Sequence, residues 1–314
     1  MTDLINAENL YRYYDQHCAV NAVSFSLAKG EVLGFLGQNG AGKTTTMQML
    51  CGNLAPSAGS IRINGIDLLS NPKAAKVNLG YLPDTPPLYK DLTVNEFLLY
   101  CAQLHRIPNI QRTKALQTAK ERCGLTDVAE RLIGNLSKGY QQRVGIAQAI
   151  LHNPAVIILD EPTVGLDPLQ IREIRGLIRE LGQDHGIILS THILSEVQDS
   201  CTHVQIIQQG RLILKASINE LNRQMNSTSL RIVTRLPVAV EQLTAIPGVL
   251  SIEVINPLEI RVQQDLSPLQ TTSTVAEHLA ETIVTAGWGL QTLTPIQHSL
   301  EDEFIRLTQL ETAA

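Results

Sequence analysis

The sequence predicts an α/β protein with an antiparallel β part, a helical insert and a small α+β domain at its C-terminal end. Three observations lead to this prediction. A short apolar run at residues 32–36 precedes a glycine-rich turn and a helix. Apolar runs at residues 156–160 and 187–190 flank another helical stretch, as in a buried parallel sheet. Beyond residue 229, strands and helices follow in the order β-α-β-β-α-β, which is typical of a ferredoxin-like domain.

The glycine-rich turn at residues 37–44 reads Gly-Gln-Asn-Gly-Ala-Gly-Lys-Thr and matches the phosphate-binding pattern G-x-x-x-x-G-K-[ST]. Its glycines let backbone N–H groups converge on phosphate oxygens, and the helix N-terminus adds about half a positive charge. We expect Lys43 to contact the β- and γ-phosphates and the Thr44 hydroxyl to bind Mg²⁺. The alternative is a chance glycine-rich turn. A chance turn would not be expected to have a strand before it and a helix after it, as this one does. The predicted nucleotide-binding residues here are Gly37, Asn39, Gly40, Gly42, Lys43, Thr44 and Thr45.

Composition limits the classes of protein to which the chain can belong. Its 314 residues predict about two domains, and its net charge of −5 argues against a nucleic-acid partner. The five cysteines are scattered without C-x-x-C spacing, as in a reducing compartment. The sequence shows no signal peptide and no apolar run of about 18 residues. We therefore expect a cytoplasmic protein that reaches a membrane only through a partner.

The pattern becomes helical between residues 86 and 150. Thr93 and Glu96 have the spacing of a capping box, and apolar residues follow at helical intervals up to Leu104. This predicts a helical insert at about 86–150 in a nucleotide-binding domain of residues 1–222. A polar stretch then predicts a domain boundary, followed by an α+β accessory domain at 229–314 whose final helix begins at Ser299.

Two acidic residues, Asp160 and Glu161, end the apolar run at 156–160. A carboxylate at the end of a buried strand is well placed to hold Mg²⁺ through water, as in other phosphate-loop enzymes. Glu161 is placed to orient and deprotonate the water that attacks the γ-phosphate, an effect of about 10²–10⁴ in rate for a positioned base. The alternative is a solvated turn with no catalytic role.

Together with three further motifs, these residues resemble the ATP-binding subunit of ABC transporters. The resemblance covers roughly residues 4–220, and the motif Leu-Ser-x-Gly-x-Gln ahead of the acidic strand makes it highly specific. It implies an ABC ATPase core with ATP and Mg²⁺ as cofactors. The motifs are the phosphate loop, Leu-Ser-Lys-Gly-Tyr-Gln-Gln at 136–142, Leu-Asp-Glu-Pro-Thr at 159–163, Gly-Leu-Asp at 165–167 and Ser-Thr-His at 190–192.

The resemblance further implies a head-to-tail pair with a second copy of the chain. Each ATP would be held by one phosphate loop and covered by the other copy's signature residues Ser137, Gly139 and Gln141. This is physically reasonable, because the Ser137 hydroxyl and the Gly139 N–H lie at a predicted helix start and can donate to a phosphate. The alternative is an ordinary capped helix.

The family also implies roles for three single residues. His192 matches the sensor of the γ-phosphate, and Asp167 matches the loop through which the two ATP sites communicate. Tyr14 matches the aromatic residue that stacks on adenine, although Tyr11 and Tyr13 are close enough to make the register ambiguous. The alternatives are a structural histidine and an ordinary strand tyrosine.

One position departs from the family pattern. Asp84 stands where glutamine is usual, and its shorter, charged side chain would meet Mg²⁺ through a water or not at all. The segment that follows, residues 85–100, matches the contact with a separate integral-membrane permease, or is an ordinary surface helix start. The C-terminal stretch at 299–308 resembles the tail of multidrug, polysaccharide and gliding-motility export ATPases. A helical dimerisation element explains the same residues equally well.

These observations predict an ATP-binding and ATP-hydrolysing subunit that powers export through a separate permease. It would work as a homodimer on the inner face of the cell membrane, and no nucleic acid is expected. Two alternatives stay open: a non-transport ABC ATPase acting on ribosomes or DNA, and a regulatory or assembly ATPase that binds nucleotide but turns over slowly, which only Asp84 supports. The resemblance implies that the transported substrate is chosen by the permease, which is a different chain.

Overall fold

The computed structural model describes residues 3–225, 229–264 and 272–295. Contacts divide the chain into two compact units, Met1–Ile218 and Asn219–Ala314. The helix predicted from Ser299 lies outside the described residues, as does part of the polar stretch predicted as the domain boundary. Within the described ranges, no helix is both long and apolar enough to cross a lipid bilayer.

The described residues of the first unit form ten strands and seven α-helices, and an eighth α-helix begins at its last residue. Its strands are β1 (Ile5–Tyr14), β2 (His17–Leu27), β3 (Val32–Leu36), β4 (Ala58–Ile63), β5 (Ile66–Asp67), β6 (Leu79–Leu82), β7 (Val156–Asp160), β8 (Gly186–Thr191), β9 (His203–Gln208) and β10 (Arg211–Ser217). The helices are α1 (Lys43–Leu50), α2 (Pro72–Lys76), α3 (Val94–Leu104), α4 (Asn109–Arg122), α5 (Lys138–Ile150), α6 (Pro168–Asp184), α7 (Leu194–Ser200) and α8 (Ile218–Met225).

The larger sheet has the strand order β10-β9-β3-β8-β7-β6. All of these strands are parallel to their neighbours except β10, which pairs antiparallel with β9 at the edge. Every residue of β3, β7 and β8 is buried, because continuous apolar runs can pack against both faces of a parallel sheet. This confirms the predicted parallel sheet. It also brings the carboxyl ends of β3, β8, β7 and β6 to the same edge.

The second sheet of this unit is antiparallel, with the order β2-β1-β4-β5. Its β4–β5 hairpin turns at Asn64 and Gly65, which have φ of 48° and 76°. Positive φ at both central residues is what a type I′ hairpin turn needs, and Asn-Gly adopts it readily. The antiparallel β part predicted from this dipeptide and from the alternating runs is therefore confirmed.

The helical stretch between the sheet strands begins as its sequence predicts. The Thr93 hydroxyl accepts a hydrogen bond from the N–H of Glu96, and the Glu96 carboxylate accepts one from the N–H of Thr93 at 2.8 Å. This capping box starts α3, which buries Phe97 and Leu98. Leu104, which was predicted to continue the apolar face, is instead 63% exposed, because α3 ends there and the chain turns away.

The second unit has the predicted order β-α-β-β-α-β. Its sheet is antiparallel throughout. The first and third strands of this unit are the two inner strands of the sheet, as in a ferredoxin-like domain. Three residues of the last helix, Val275, Leu279 and Ile283, pack against buried strand residues such as Ile232 and Val262. The elements are β11 (Ser229–Thr234), α9 (Val240–Thr244), β12 (Val249–Asn256), β13 (Glu259–Gln264), α10 (Thr272–Thr285) and β14 (Leu290–Pro295), with the sheet order β12-β13-β11-β14.

Candidate active site

Four chain segments meet at the carboxyl edge of the parallel sheet. They are the phosphate loop after β3, Asp84 after β6, the acidic pair at the end of β7 and His192 after β8. They surround a cavity of about 390 Å³, a volume in the usual range of ligand pockets. The lining residues are Ala19, Gln38, Asn39, Gly40, Gly42, Lys43, Thr44, Thr45, Asp84, Glu161, Val164 and His192.

The phosphate loop closes around the ammonium group of Lys43. Its Nζ donates hydrogen bonds to the carbonyls of Gly37 at 2.8 Å and Gln38 at 3.3 Å, and the residue is only 5% exposed. Gly42, which precedes the helix, has φ of 106°, and a Cβ there would lie 2.6 Å from the carbonyl oxygen of Ala19. Only glycine fits this position. Helix α1 begins at Lys43, so its first N–H groups, which lack intrahelical partners, lie at the cavity.

Asp160 is a buried carboxylate at the end of β7. It is 1% exposed, and neither of its oxygens has a hydrogen-bond partner of acceptable geometry among the described residues. Burial raises the pKa of this carboxyl, and the charges of Glu161 and Asp84 raise it further, against the opposing effects of Ser190 and Lys43. A buried, unpartnered carboxylate beside further acids is a favourable place for a cation.

Glu161 lies between a lysine and a histidine. Its φ of 48° is unusual for a non-glycine residue, and its N–H donates to the carbonyl of Ser190 at 2.9 Å. Its carboxylate oxygens lie 3.1 and 2.9 Å from Nδ1 of His192, and Oε1 lies 3.5 Å from Nζ of Lys43. The fold thus joins the three side chains most directly predicted for catalysis and phosphate binding.

The signature residues belong to the start of α5. Ser137 caps this helix, because its hydroxyl accepts a hydrogen bond from the N–H of Tyr140. The Gln141 side chain donates to the carbonyls of Leu136 at 2.9 Å and Ile133 at 3.2 Å, so it holds its own loop. None of the three signature residues is among those that line the cavity.

Gly139 lies against helix α6, where a Cβ would come 2.5 Å from Cδ of Gln170. Asp167 caps that helix by accepting hydrogen bonds from the N–H groups of Leu169 at 3.0 Å and Gln170 at 2.9 Å. The signature helix and the Asp167 loop are therefore neighbours within one chain. Like the signature residues, Asp167 is not part of the cavity lining.

Tyr14 ends β1 and is 44% exposed. The guanidinium carbon of Arg12 lies 4.8 Å from the centre of its ring, and the ring does not line the cavity. Tyr11 and Tyr13 stack on each other with their ring centres 6.3 Å apart. Tyr14 is thus the member of this cluster that does not take part in the tyrosine stack.

Comparisons with known proteins identify the family of this chain. The protein-family model described as "ABC transporter" matches residues 20–164. The bacitracin transport ATP-binding protein BcrA of Bacillus licheniformis is 38% identical over 226 residues, which is 71% of this chain and 73% of BcrA. The chain belongs to the ABC transporter ATP-binding proteins. As a member, it binds and hydrolyses ATP and powers transport through a separate membrane permease.

A second relative matches nearly the whole length of this ABC subunit, and a solved structure matches most of it. The linearmycin resistance ATP-binding protein LnrL of Bacillus subtilis (strain 168) is 30% identical and matches 97% of this chain and 98% of LnrL. A solved structure described as the ATP-binding subunit of an ABC transporter is 32% identical. It has a TM-score of 0.64 and covers 70% of this chain and 92% of that one. The family resemblance and the ABC ATPase fold predicted from the motifs are confirmed.

The structure adds residues that sequence reasoning missed. Gln38 and Val164 line the cavity, although no role was predicted for them. Glu196 is 1% exposed and accepts hydrogen bonds from the hydroxyls of Thr163 and Thr191. Its only signal in the sequence is its spacing of four residues from His192, and a carboxylate in the first turn of a helix is normally interpreted as solvated.

We expect Asp160→Asn to raise the free energy of unfolding of the metal-free subunit at pH 7 by about 1 kcal/mol, since it removes a buried, unpaired charge. A raised carboxyl pKa contributes stability that is fully present below the ordinary value and is lost as the pH rises through the folded-state value. The advantage of the variant should therefore grow from about pH 4 upward. Urea unfolding in EDTA across this range measures it. Asp91→Asn, at an exposed position, is the control, and a less stable Asp160→Asn at pH 7 would contradict the explanation.

Proposed function

We propose that the ATP-binding subunit works as a head-to-tail pair of identical chains, which closes on MgATP and drives export through an integral-membrane permease. One observation carries this proposal. The cavity gathers the phosphate loop with Glu161 and His192, but Ser137 and Gly139 lie outside it. The phosphate-binding helix start at Ser137 is therefore unused within one chain, and a second copy can bring it to the nucleotide.

In this proposal, each residue around the cavity has its own role in ATP hydrolysis. Lys43 exchanges the carbonyls of Gly37 and Gln38 for the β- and γ-phosphates. Glu161 accepts the proton of the attacking water, and His192 holds the Glu161 carboxylate and senses the γ-phosphate. The remaining loop residues that surround the phosphates are Asn39, Gly40, Gly42 and Thr45. The half-exposed Tyr14 stacks on adenine, and such stacking contributes about 1–3 kcal/mol to binding.

Mg²⁺ fits the donors at this site. Asp160 would offer two unpartnered oxygens and Thr44 a hydroxyl, and the Asp84 carboxylate would meet the ion through a water or not at all. Among the described residues, no three His, Cys, Asp or Glu side chains are grouped as a metal site. Mg²⁺ usually takes only one or two carboxylates and completes its shell with phosphates and water. When bound, it neutralises the charge that develops on the phosphates.

The proposal includes the organisation and location of the chain. We assign residues 1–222 to the ATP-binding domain, with its helical insert at 86–150, and residues 229–314 to an accessory domain. The subunit lies in the cytoplasm against the membrane, with residues 85–100 on the permease and Asp167 linking the two ATP sites.

Export is supported by the names of two relatives, BcrA for bacitracin transport and LnrL for linearmycin resistance. The net charge of −5 supports the expected absence of a nucleic-acid partner.

The composite site can be tested with one helix cap. Asp and Asn both cap helices well, so Ser137→Asp and Ser137→Asn should fold alike. Only Ser137→Asp places a negative charge against the γ-phosphate of the partner's ATP. We expect it to lower ATP turnover by about 10²-fold or more while nucleotide binding by its own loop persists, and Ser137→Asn to stay within about tenfold of wild type.

Mixing two inactive variants then tests the second copy directly. Lys43→Ala disables the loop, and Ser137→Asp disables the signature. A mixed pair contains one site with both an intact loop and an intact signature, so equal amounts should recover about a quarter of wild-type activity by random pairing. No recovery on mixing, with each variant folded and inactive, would count against the head-to-tail pair.

A further inference from the structure

A single buried carboxylate joins the two loops that carry Glu161 and His192. Glu196, in the first turn of α7, accepts a hydrogen bond from the Thr163 hydroxyl at Oε1 and one from the Thr191 hydroxyl at Oε2, the latter at 2.7 Å. Thr163 follows Glu161 by two residues, and Thr191 immediately precedes His192. The side chains of Thr163, Thr191 and Glu196 are all buried. The bridge therefore lies beneath the catalytic surface and makes no contact with the cavity.

Stability alone does not account for this arrangement. Among the described residues, Glu196 has hydrogen bonds to two hydroxyls but no cationic partner. A buried carboxylate without a cation is expensive, and an apolar side chain of similar volume is often at least as stable. The useful property of the carboxylate is its geometry, since its two oxygens accept from donors in two different loops.

Further hydrogen bonds extend the bridge to the catalytic pair. The Thr191 hydroxyl also accepts from the N–H of Ile193 at 3.0 Å, which fixes the turn that carries His192. The N–H of Glu161 donates to the carbonyl of Ser190 at 2.9 Å, so the two loops are joined through the backbone as well. Together these bonds hold the two loops so that Nδ1 of His192 lies 2.9 Å from Oε2 of Glu161.

We propose that Glu196 is a positioning residue for ATP hydrolysis. It holds the loop after β7 and the loop after β8 at a fixed separation, so that the Glu161 carboxylate and the His192 imidazole meet in one arrangement. This inference rests on the proposed roles of Glu161 and His192, and Glu196 itself touches neither nucleotide nor water. A displacement of about 1 Å in such a pair lowers the rate by up to about 10²-fold.

Four substitutions test the bridge. Thr163→Val and Thr191→Val remove one hydroxyl each at constant shape, and Glu196→Met removes the acceptor at similar length. We expect each to lower kcat by about tenfold to a hundredfold with KM for MgATP within about twofold. Glu196→Gln should stay within about threefold of wild type, because an amide and two hydroxyls can still form both bonds.

The control lies on the same helix. Ser200 is 4% exposed and its hydroxyl has no partner among the described residues, so Ser200→Ala should leave kcat unchanged. Thermal unfolding of every variant confirms that the compared proteins are folded. If Glu196→Met does not fold, the two valine variants decide the matter, since each keeps the volume of the buried site.

A double variant separates positioning from a general loss of structure. In a His192→Ala background there is no imidazole to position, so adding Glu196→Met should lower kcat by less than about threefold. The proposal is overturned if both valine variants keep wild-type kcat, or if Glu196→Met slows His192→Ala as much as it slows wild type. Wild-type turnover in both Glu161→Gln and His192→Ala would instead overturn the proposed roles of those residues, and the positioning role with them.

Discussion

Replacing Glu161 with glutamine is expected to lower ATP turnover by about 10²–10⁴-fold, because the amide keeps the shape of the side chain but cannot accept a proton from water. Binding of MgATP should persist, since the phosphate loop is untouched and the amide can still bond to His192, whose Nδ1 lies 2.9 Å from the carboxylate. Phosphate release at saturating MgATP measures turnover, and a fluorescent ATP analogue measures binding.

The same variant reports on the proposed pair of chains. With hydrolysis blocked, MgATP should hold the closed pair, so light scattering should detect a dimer with Glu161→Gln and MgATP but not with ADP. Glu121→Gln makes the same chemical change at an exposed position on α4 and should behave as wild type in both measurements. Wild-type turnover in Glu161→Gln would assign the base to another group.

Replacing Lys43 with alanine is expected to weaken MgATP binding by about 30-fold or more, as truncating one partner of a desolvated charge pair costs about 2–5 kcal/mol. Among the described residues that line the cavity, Lys43 is the only lysine or arginine. Its loss removes the donor to the carbonyl of Gly37, while the carbonyl of Gln38 still accepts from the N–H of Ala41 at 3.1 Å. It also leaves Glu161, 3.5 Å from the ammonium, to repel the incoming phosphates.

Calorimetric titration with MgATP measures this effect. Lys73→Ala removes an exposed lysine of α2 and is the matched control, with an expected dissociation constant equal to that of wild type. Lys43→Ala should remain folded, because the ammonium contacts its own loop and Glu161 at the cavity rather than the apolar core. An unchanged affinity for MgATP in this variant would show that phosphate binding does not depend on the loop lysine.

Features that depend on a few neighbouring residues were predictable from the sequence. The strand Val32–Leu36 and the strand Val156–Asp160 have the predicted limits, because an uninterrupted apolar run must be buried on both faces. The capping box at Thr93 and the Asn64-Gly65 turn followed from local hydrogen bonding and from positive φ. Leu104 was predicted in the apolar face but is exposed, since periodicity does not indicate where a helix loses its neighbours.

The amino-acid sequence by itself determined the family, the parallel core and the main candidate residues, because each motif carries its chemistry within a few positions. Only the tertiary structure decided which candidates share a cavity. It brought Lys43, Glu161 and His192 together and left Ser137 outside. It alone showed the bridge at Glu196, whose partner Thr163 is 33 residues away. A carboxylate has the same spacing pattern whether it is solvated or buried, and only the packing of β7, β8 and α7 distinguishes the two.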